Sequence, residues 1–86
     1  MLPQTLTEVR QAIDGLDAEL IALLAKRQTL VEQAGRLKPR GDAKAVAAPD
    51  RVAQVIAARR GQAAAAGLSP DVAEAVWQAM IAAFIR

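Results

Sequence analysis

The chain has no cysteine and no histidine, and it has very few aromatic residues. The absence of the first two residue types excludes disulfides, thiolate and imidazole catalysis, and nearly every transition-metal site. Aromatic residues make up 2% of the 86 residues, whereas hydrophobic residues make up 53%. Alanine, leucine, valine and isoleucine must therefore supply the core, and this composition favours closely packed helices over a β-sandwich.

Long apolar runs are also missing from the sequence. Nowhere do about 18 apolar residues follow one another, so no membrane-spanning helix is predicted. The first residues show no basic segment followed by an apolar core, and we therefore expect a cytoplasmic protein. With 86 residues, the chain is expected to form one helical domain, residues 1–86, that is too small to bury a large core alone.

The net charge is only +2, but the charges are unevenly distributed. Nine of the eleven basic residues lie in the middle of the chain, where only three acidic residues accompany them. The nine are Lys26, Arg27, Arg36, Lys38, Arg40, Lys44, Arg51, Arg59 and Arg60. This distribution predicts an anionic partner, either a small polyanion or a nucleic acid backbone.

A heptad pattern of apolar residues extends from Thr5 to Lys38. These residues recur at alternating steps of three and four, and we call them the heptad seam: Leu6, Val9, Ile13, Leu16, Leu20, Leu23, Leu30, Ala34 and Leu37. Such a pattern is typical of a helix that packs lengthwise against other helices. Arg27 occupies one seam position, where a guanidinium is costly unless an anion or a hydrogen-bond partner meets it. The pattern therefore predicts a binding site for a negatively charged group at Arg27.

The ends of this first helix are marked by local signals. Thr5 and Glu8 form a capping box, and Pro39 is expected to end the helix. Such a helix would be about 50 Å long, whereas a compact monomer of this size is only about 30 Å across. Because one chain cannot cover a helix of that length, we expect a homodimer.

Two further helices are predicted, and no strands. Residues 38–48 combine proline, glycine and charge, and we expect a mobile loop whose basic residues could close over an anion. Pro49 marks the start of the second helix and Gly67 its end. Ser69 as N-cap and Pro70 at the first helical position begin the third helix. The predicted fold class is all-α, with three helices per chain and a long first helix.

Helix geometry groups some of the cations and separates others. Lys38 lies eleven residues after Arg27, so the two side chains point within about 20° of each other and stand about 16 Å apart along the axis. Val31, Ala34 and Gly35 form a floor of small residues between them. This arrangement predicts a clamp for a molecule that carries two separated negative charges.

Arg10 cannot join that clamp from the same chain. It lies seventeen residues before Arg27, which corresponds to about 25 Å along the helix axis and about 100° around it. If Arg10 contributes to the site, it must come from an antiparallel partner chain.

The stretch from Leu6 to Arg27, followed by Lys38 and by Pro49-Asp50-Arg51, resembles the all-helical chorismate mutase family, which includes isochorismate pyruvate lyases. The resemblance covers essentially the whole chain and depends on the spacing of a set of residues: Arg10, Ile13, Asp14, Leu16, Asp17, Leu20, Arg27 and Lys38. It implies an interlaced homodimeric helical bundle with two active sites. Each site would be made mainly by one chain, with Arg10 donated by the other.

The resemblance also implies a reaction, the rearrangement of chorismate to prephenate in the shikimate pathway of aromatic amino acid biosynthesis. This pericyclic step needs no nucleophile, base, metal or cofactor, only a held conformer and well-placed positive charge. By the same resemblance, Arg10 and Arg27 bind carboxylates, and guanidinium suits such planar anions. Lys38 would reach the ether oxygen and a carboxylate, and Arg51 would support the pocket.

The remaining pocket residues implied by the resemblance are apolar, and some depart from the family pattern. They are Val52 and Val55 of the second helix and Ile81, Phe84 and Ile85 of the third. Mutases of the family usually have Glu at the position of Val52, and often Ser at the position of Phe84. A Gln that usually contacts the ether oxygen would fall just beyond Arg86.

These departures leave alternatives open. An apolar residue at position 52 is a feature of the lyase branch, which releases pyruvate from isochorismate to give salicylate. A non-catalytic helical dimer would also fit the loss of Glu and Gln. A nucleic-acid-binding module would fit the basic middle of the chain, but the sequence has no recognition helix and no aromatic platform. Taken singly, Arg59 and Arg60 are expected to be solvated helix residues, and Trp77 is expected in the core.

Overall fold

The computed structural model describes residues 2–37 and 49–85, and the side chains of residues 2–37 and 50–84. This part of the chain forms three α-helices: α1 (Leu6–Leu37), α2 (Pro49–Ala66) and α3 (Pro70–Ile85). It contains no strand, and α1 is 32 residues long. The predicted all-α class, the number of helices and the long first helix are therefore confirmed. The predicted loop at 38–48 lies outside the described residues.

The start of α1 follows from its N-cap. The backbone N–H of Glu8 donates to Thr5 Oγ1 at 3.1 Å, and the N–H of Val9 donates to the Thr5 carbonyl at 2.9 Å. The Thr5 side chain thus satisfies one of the amide groups that the first turn leaves without an intrahelical partner. The predicted stop at Pro39 lies outside the described residues.

A glycine ends α2, as predicted. Gly67 has a φ of 82°, in the left-handed region that favours glycine. The N–H of Leu68 donates to the Ala63 carbonyl at 2.8 Å, and the N–H of Gly67 donates to the Ala64 carbonyl at 3.3 Å. This pair of hydrogen bonds is the Schellman arrangement, which satisfies carbonyls at the helix end and reverses the chain.

The next helix begins almost at once. The N–H of Val72 donates to Ser69 Oγ at 3.4 Å, and the N–H of Ala73 donates to the Ser69 carbonyl at 3.1 Å. Pro70 takes the first helical position, where its missing N–H costs nothing. Because only three residues separate α2 from α3, the two helices form an antiparallel hairpin.

The described chain divides into two compact units, one containing α1 and the other containing α2 and α3. Within the hairpin, α2 packs against α3. The buried apolar residues are Val55, Ala63 and Ala73, which are 8%, 4% and 2% exposed. Two of these three are alanines, so the buried contacts between α2 and α3 involve little apolar area.

Most of α1 is exposed, including its apolar residues. The large residues of the heptad seam are between 37% and 74% exposed: Leu6, Val9, Ile13, Leu16, Leu20, Leu23, Leu30 and Leu37. Only Leu24, Arg27 and Val31 of α1 are half-buried. None of the helices in the described residues is long and apolar enough to cross a membrane.

Candidate active site

Arg27 lies on the half-buried face of α1. Leu24 and Val31, the other two half-buried residues of α1, stand three residues before it and four residues after it. Residues at these spacings share one side of a helix. The guanidinium is therefore carried on an apolar stripe. This stripe differs from the predicted heptad seam, whose residues next to Arg27, Leu23 and Leu30, are 58% and 68% exposed. Ala34, predicted as part of the floor beside Arg27, is exposed.

Arg10 lies on the same unbroken helix as Arg27, and its side chain is exposed. Seventeen residues of regular helix separate the two positions, a distance of about 25 Å along the axis. A small dianion cannot bridge that distance. The helix thus confirms that these two arginines do not meet within one chain.

The α2–α3 hairpin brings the other predicted pocket residues to one end. Contacts across the hairpin pair Arg60 with Glu74 and Arg59 with Trp77. Extending this antiparallel register away from the turn sets the start of α2 beside the end of α3. We call this end of the hairpin, away from Gly67, the open end.

The open end contains six of the predicted binding residues: Arg51, Val52, Val55, Ile81, Phe84 and Ile85. By register, Val55 is level with Ile81, and Val52 is level with Phe84. Val52, Ile81 and Phe84 are half-buried, Val55 is buried, and Arg51 is exposed. The side chain of Ile85 lies outside the described residues, as does the whole of Lys38. The Arg27–Lys38 clamp therefore stays a prediction.

One polar cluster between α2 and α3 was not foreseen from the sequence. A single guanidinium nitrogen of Arg60 donates to Asp71 Oδ1 and to Glu74 Oε1, both at 2.9 Å. The hydrogen bond to Asp71 raises the pKa of the Arg60 guanidinium; partial burial opposes this rise and Glu74 adds to it. Arg60 is therefore an ion-paired link between two helices, and its side chain remains 40% exposed, as expected for a solvated helix residue.

Arg59 adds a second contact between the same helices. Its guanidinium carbon stands 5.7 Å from the centre of the Trp77 ring, within the range of a cation–π contact. Trp77 is half-buried, and its Nε1 is buried with no hydrogen-bond partner within the described residues. The predicted turn at Gly67 implies that Arg59 and Arg60 face α3. The residues next to them in the sequence, however, do not indicate which side chains of α3 they contact.

The described residues offer little for binding a metal. No group of three or more carboxylates that could hold an ion occurs in residues 2–37 and 49–85. Their chemistry comes instead from guanidinium groups, which bind planar anions through paired N–H donors. Arg27 on α1 and Arg51 at the open end are such groups.

Residues 9–86 match the family described as chorismate mutase type II. The chain belongs to this family. Two relatives are T-proteins, from Haemophilus influenzae and Enterobacter agglomerans. The chain is 42% identical to the first over 73 residues, which is 85% of this chain and 19% of that protein. It is 42% identical to the second over 71 residues, with 83% and 19% covered.

The chain thus spans about a fifth of the length of these two relatives. No solved structure matches it. The family assignment and the predicted all-helical resemblance agree, and the match includes Arg10, Arg27, Lys38 and Arg51 within its range.

Proposed function

We propose that this protein is a chorismate mutase that converts chorismate to prephenate. The observation that supports the proposal most strongly is Arg27 on an apolar, half-buried face of a helix, in a chain of the type II chorismate mutase family. A guanidinium in that setting suits a carboxylate, and it is less screened by solvent than an exposed cation. Chorismate carries two carboxylates.

The reaction makes few demands on side-chain chemistry. A C–O bond breaks as a C–C bond forms within one molecule, so no external proton donor, nucleophile or metal takes part. The protein must hold the reactive conformer and place positive charge where the ether oxygen gains electron density. We assign Arg27 to one carboxylate, Lys38 to the ether oxygen and a carboxylate, and Arg51 to support of the pocket.

The proposed site is shared between two copies of the chain. The exposed heptad seam of α1 supports this proposal, because large apolar residues repeated along one helix are typical of helix pairing. In a two-fold antiparallel pair of α1 helices, Arg10 of one chain can approach Arg27 of the other. Arg10 would then bind the second carboxylate from the partner. We keep the cytoplasmic location as a prediction from the sequence alone.

A second function is supported by the open end of the hairpin. Val52 is half-buried and Val55 is buried, so this part of α2 offers no hydrogen bond to a substrate hydroxyl. A pocket without that acceptor would fit an isochorismate pyruvate lyase, which releases pyruvate from an isomeric dianion. Both reactions use the same cations, and they differ in the position of the substrate hydroxyl.

The test is to incubate the protein with chorismate and with isochorismate separately, following prephenate and salicylate. We expect prephenate from chorismate at a rate well above the uncatalysed one, and less or no salicylate from isochorismate. Arg36→Met is the matched control, since Arg36 is exposed and bonds to Gln33 on its own helix. A faster reaction with isochorismate would favour the lyase. If neither compound is turned over, the result would favour the alternative that the protein is a non-catalytic helical dimer.

A further inference from the structure

The apolar contact between α2 and α3 does little to fix the angle between the two helices. Its buried residues are Val55, Ala63 and Ala73, and alanine methyl groups interlock little across a helix interface. A contact of this kind permits small changes in the angle between the helices. Directional contacts are needed to hold one arrangement.

The polar cluster supplies those directional contacts. We define it as Arg59, Arg60, Asp71, Glu74 and Trp77. On α3 its contact points extend over six residues, or about 9 Å along the axis. Because contacts at separated points oppose tilting as well as sliding, the cluster restrains the angle between the two helices.

Within the cluster, the pair formed by Arg60 and Glu74 matters most. The side chains of Arg60 and Glu74 are 40% and 35% exposed, whereas that of Asp71 is 88% exposed. Although Asp71 has the larger effect on the pKa of Arg60, its own exposure leaves that pair more screened by water. Exposed ion pairs add little to stability, so the main effect of the cluster is on geometry.

The open end lies some distance from this cluster. Nine residues of α2 separate Arg60 from Arg51, or about 13 Å along the axis. A tilt of about 5° moves a point at that distance by roughly 1 Å, and a misplacement of that size can cost about a hundredfold in rate. Small changes at the cluster are therefore magnified at the pocket.

We propose that Arg60, through its bonds to Asp71 and Glu74, is a positioning residue that holds the open end of the hairpin in the geometry required by the substrate. Arg59 on Trp77 supports the same arrangement. The inference rests on the proposed function, because the open end contains the residues assigned to the pocket. Arg60 itself does not contact the substrate; it acts through α2 on Arg51 and Val52.

The test replaces Arg60 in the full chain and reads out three quantities. Arg60→Met removes both bonds and keeps the side-chain length, Arg60→Lys keeps one donor group, and Arg36→Met is the control. The quantities are kcat and KM for chorismate, the thermal unfolding midpoint, and the near-ultraviolet circular dichroism of Trp77. The last signal is specific because the chain has one tryptophan and no tyrosine.

We expect Arg60→Met to lower kcat about tenfold or more, to change KM less than about threefold, and to remain folded with an altered Trp77 signal. Arg60→Lys should recover part of kcat, and the control should match the parent. A purely structural role would leave kcat per folded molecule unchanged. That result, with the variant fully folded, would overturn the inference.

Failure of the proposed function can be recognised separately. If the parent protein turns over no chorismate, the proposed function fails, and the geometry is then tested by amide hydrogen exchange at residues 51–56. Faster exchange there in Arg60→Met than in the parent and the Arg36→Met control would support the positioning role. Equal exchange together with an unchanged Trp77 signal would overturn it.

Discussion

Arg27 stands between Leu24 and Val31 on the half-buried stripe of α1. Its replacement by methionine keeps a long, largely apolar side chain on an apolar face while removing the guanidinium. We expect Arg27→Met to reduce kcat/KM for chorismate by about a hundredfold or more, with little change in thermal stability. The check is steady-state kinetics beside thermal unfolding, with Arg36→Met treated in parallel. Parent-like kinetics would show that Arg27 does not bind the substrate.

Val52 occupies the position where the resemblance to the family leads us to expect Glu. It lies level with Phe84 at the open end and is half-buried. If the protein is a mutase, Val52→Glu adds an acceptor for the substrate hydroxyl, and we expect kcat/KM for chorismate to rise about tenfold. Val52→Met, which adds an unbranched side chain of similar length without an acceptor of that strength for the hydroxyl, is the control. A fall in chorismate turnover, in a parent that prefers isochorismate, would support the lyase.

For single residues, the position along a helix was easier to predict from the sequence than the side chains that each residue contacts. The place of Arg27 in the heptad seam follows from the spacing of its neighbours, but the half-buried residues beside it are Leu24 and Val31 rather than seam residues. The two hydrogen bonds that Arg60 donates, one to Asp71 and one to Glu74, join residues eleven and fourteen positions apart. Such pairing depends on how the hairpin turns, so local patterns did not indicate it.

The helix ends were predictable because their signals are local. Thr5 and Ser69 accept hydrogen bonds from amides three residues later, and Gly67 adopts a left-handed conformation. Each of these features is decided by a few neighbouring backbone groups and one side chain. The start of α1, the end of α2 and the start of α3 could therefore be assigned from sequence to within about one residue.

Two glycines of the hairpin region test this account of the turn. A Cβ at Gly67 or at Gly61 would meet no atom within 4 Å, so steric contact does not distinguish them. Their backbones do, because Gly67 has a φ of 82° and Gly61 lies inside α2. We expect Gly67→Ala to destabilise the protein by about 1 kcal/mol and Gly61→Ala to stabilise it by about 0.5–1 kcal/mol.

Thermal or denaturant unfolding of the two alanine variants beside the parent measures both effects. Because neither glycine belongs to the proposed pocket, the variants also report on stability without altering its residues. Equal changes of the same sign at the two positions would contradict the assignment of Gly67 as a left-handed helix cap.

For the whole molecule, the exposed seam of α1 is the feature that most needs a partner. Nine large apolar residues of that helix are more than a third exposed, and eight of them belong to the seam. We expect sedimentation equilibrium at micromolar concentration to give a mass of twice 9.1 kDa. Leu16→Lys and Leu20→Lys, which place charge in the seam, should weaken this association. A folded, cooperative monomer of the parent chain would contradict the proposed dimer.

The arrangement of the whole molecule was less predictable from the sequence than its helices. The repeat on α1 indicated that the helix pairs lengthwise, but the identity of the partner depends on surfaces contributed by two molecules. Lys38 and the loop at 38–48 lie outside the described residues, so their closure over an anion stays a prediction. The single domain over residues 1–86 also stays a prediction, because the chain divides into two compact units.

The most direct measurement mixes two inactive variants. Arg10→Met and Arg27→Met are prepared separately, confirmed to be inactive toward chorismate, then unfolded together in equal amounts and refolded. In a random mixture about half of the dimers are hybrids, and each hybrid has one site with both arginines and one with neither. If Arg10 serves the partner's site, activity returns to roughly a quarter of the parent value. If Arg10 serves its own chain, a mixture whose hybrids are verified by mass stays inactive, which would contradict the shared site.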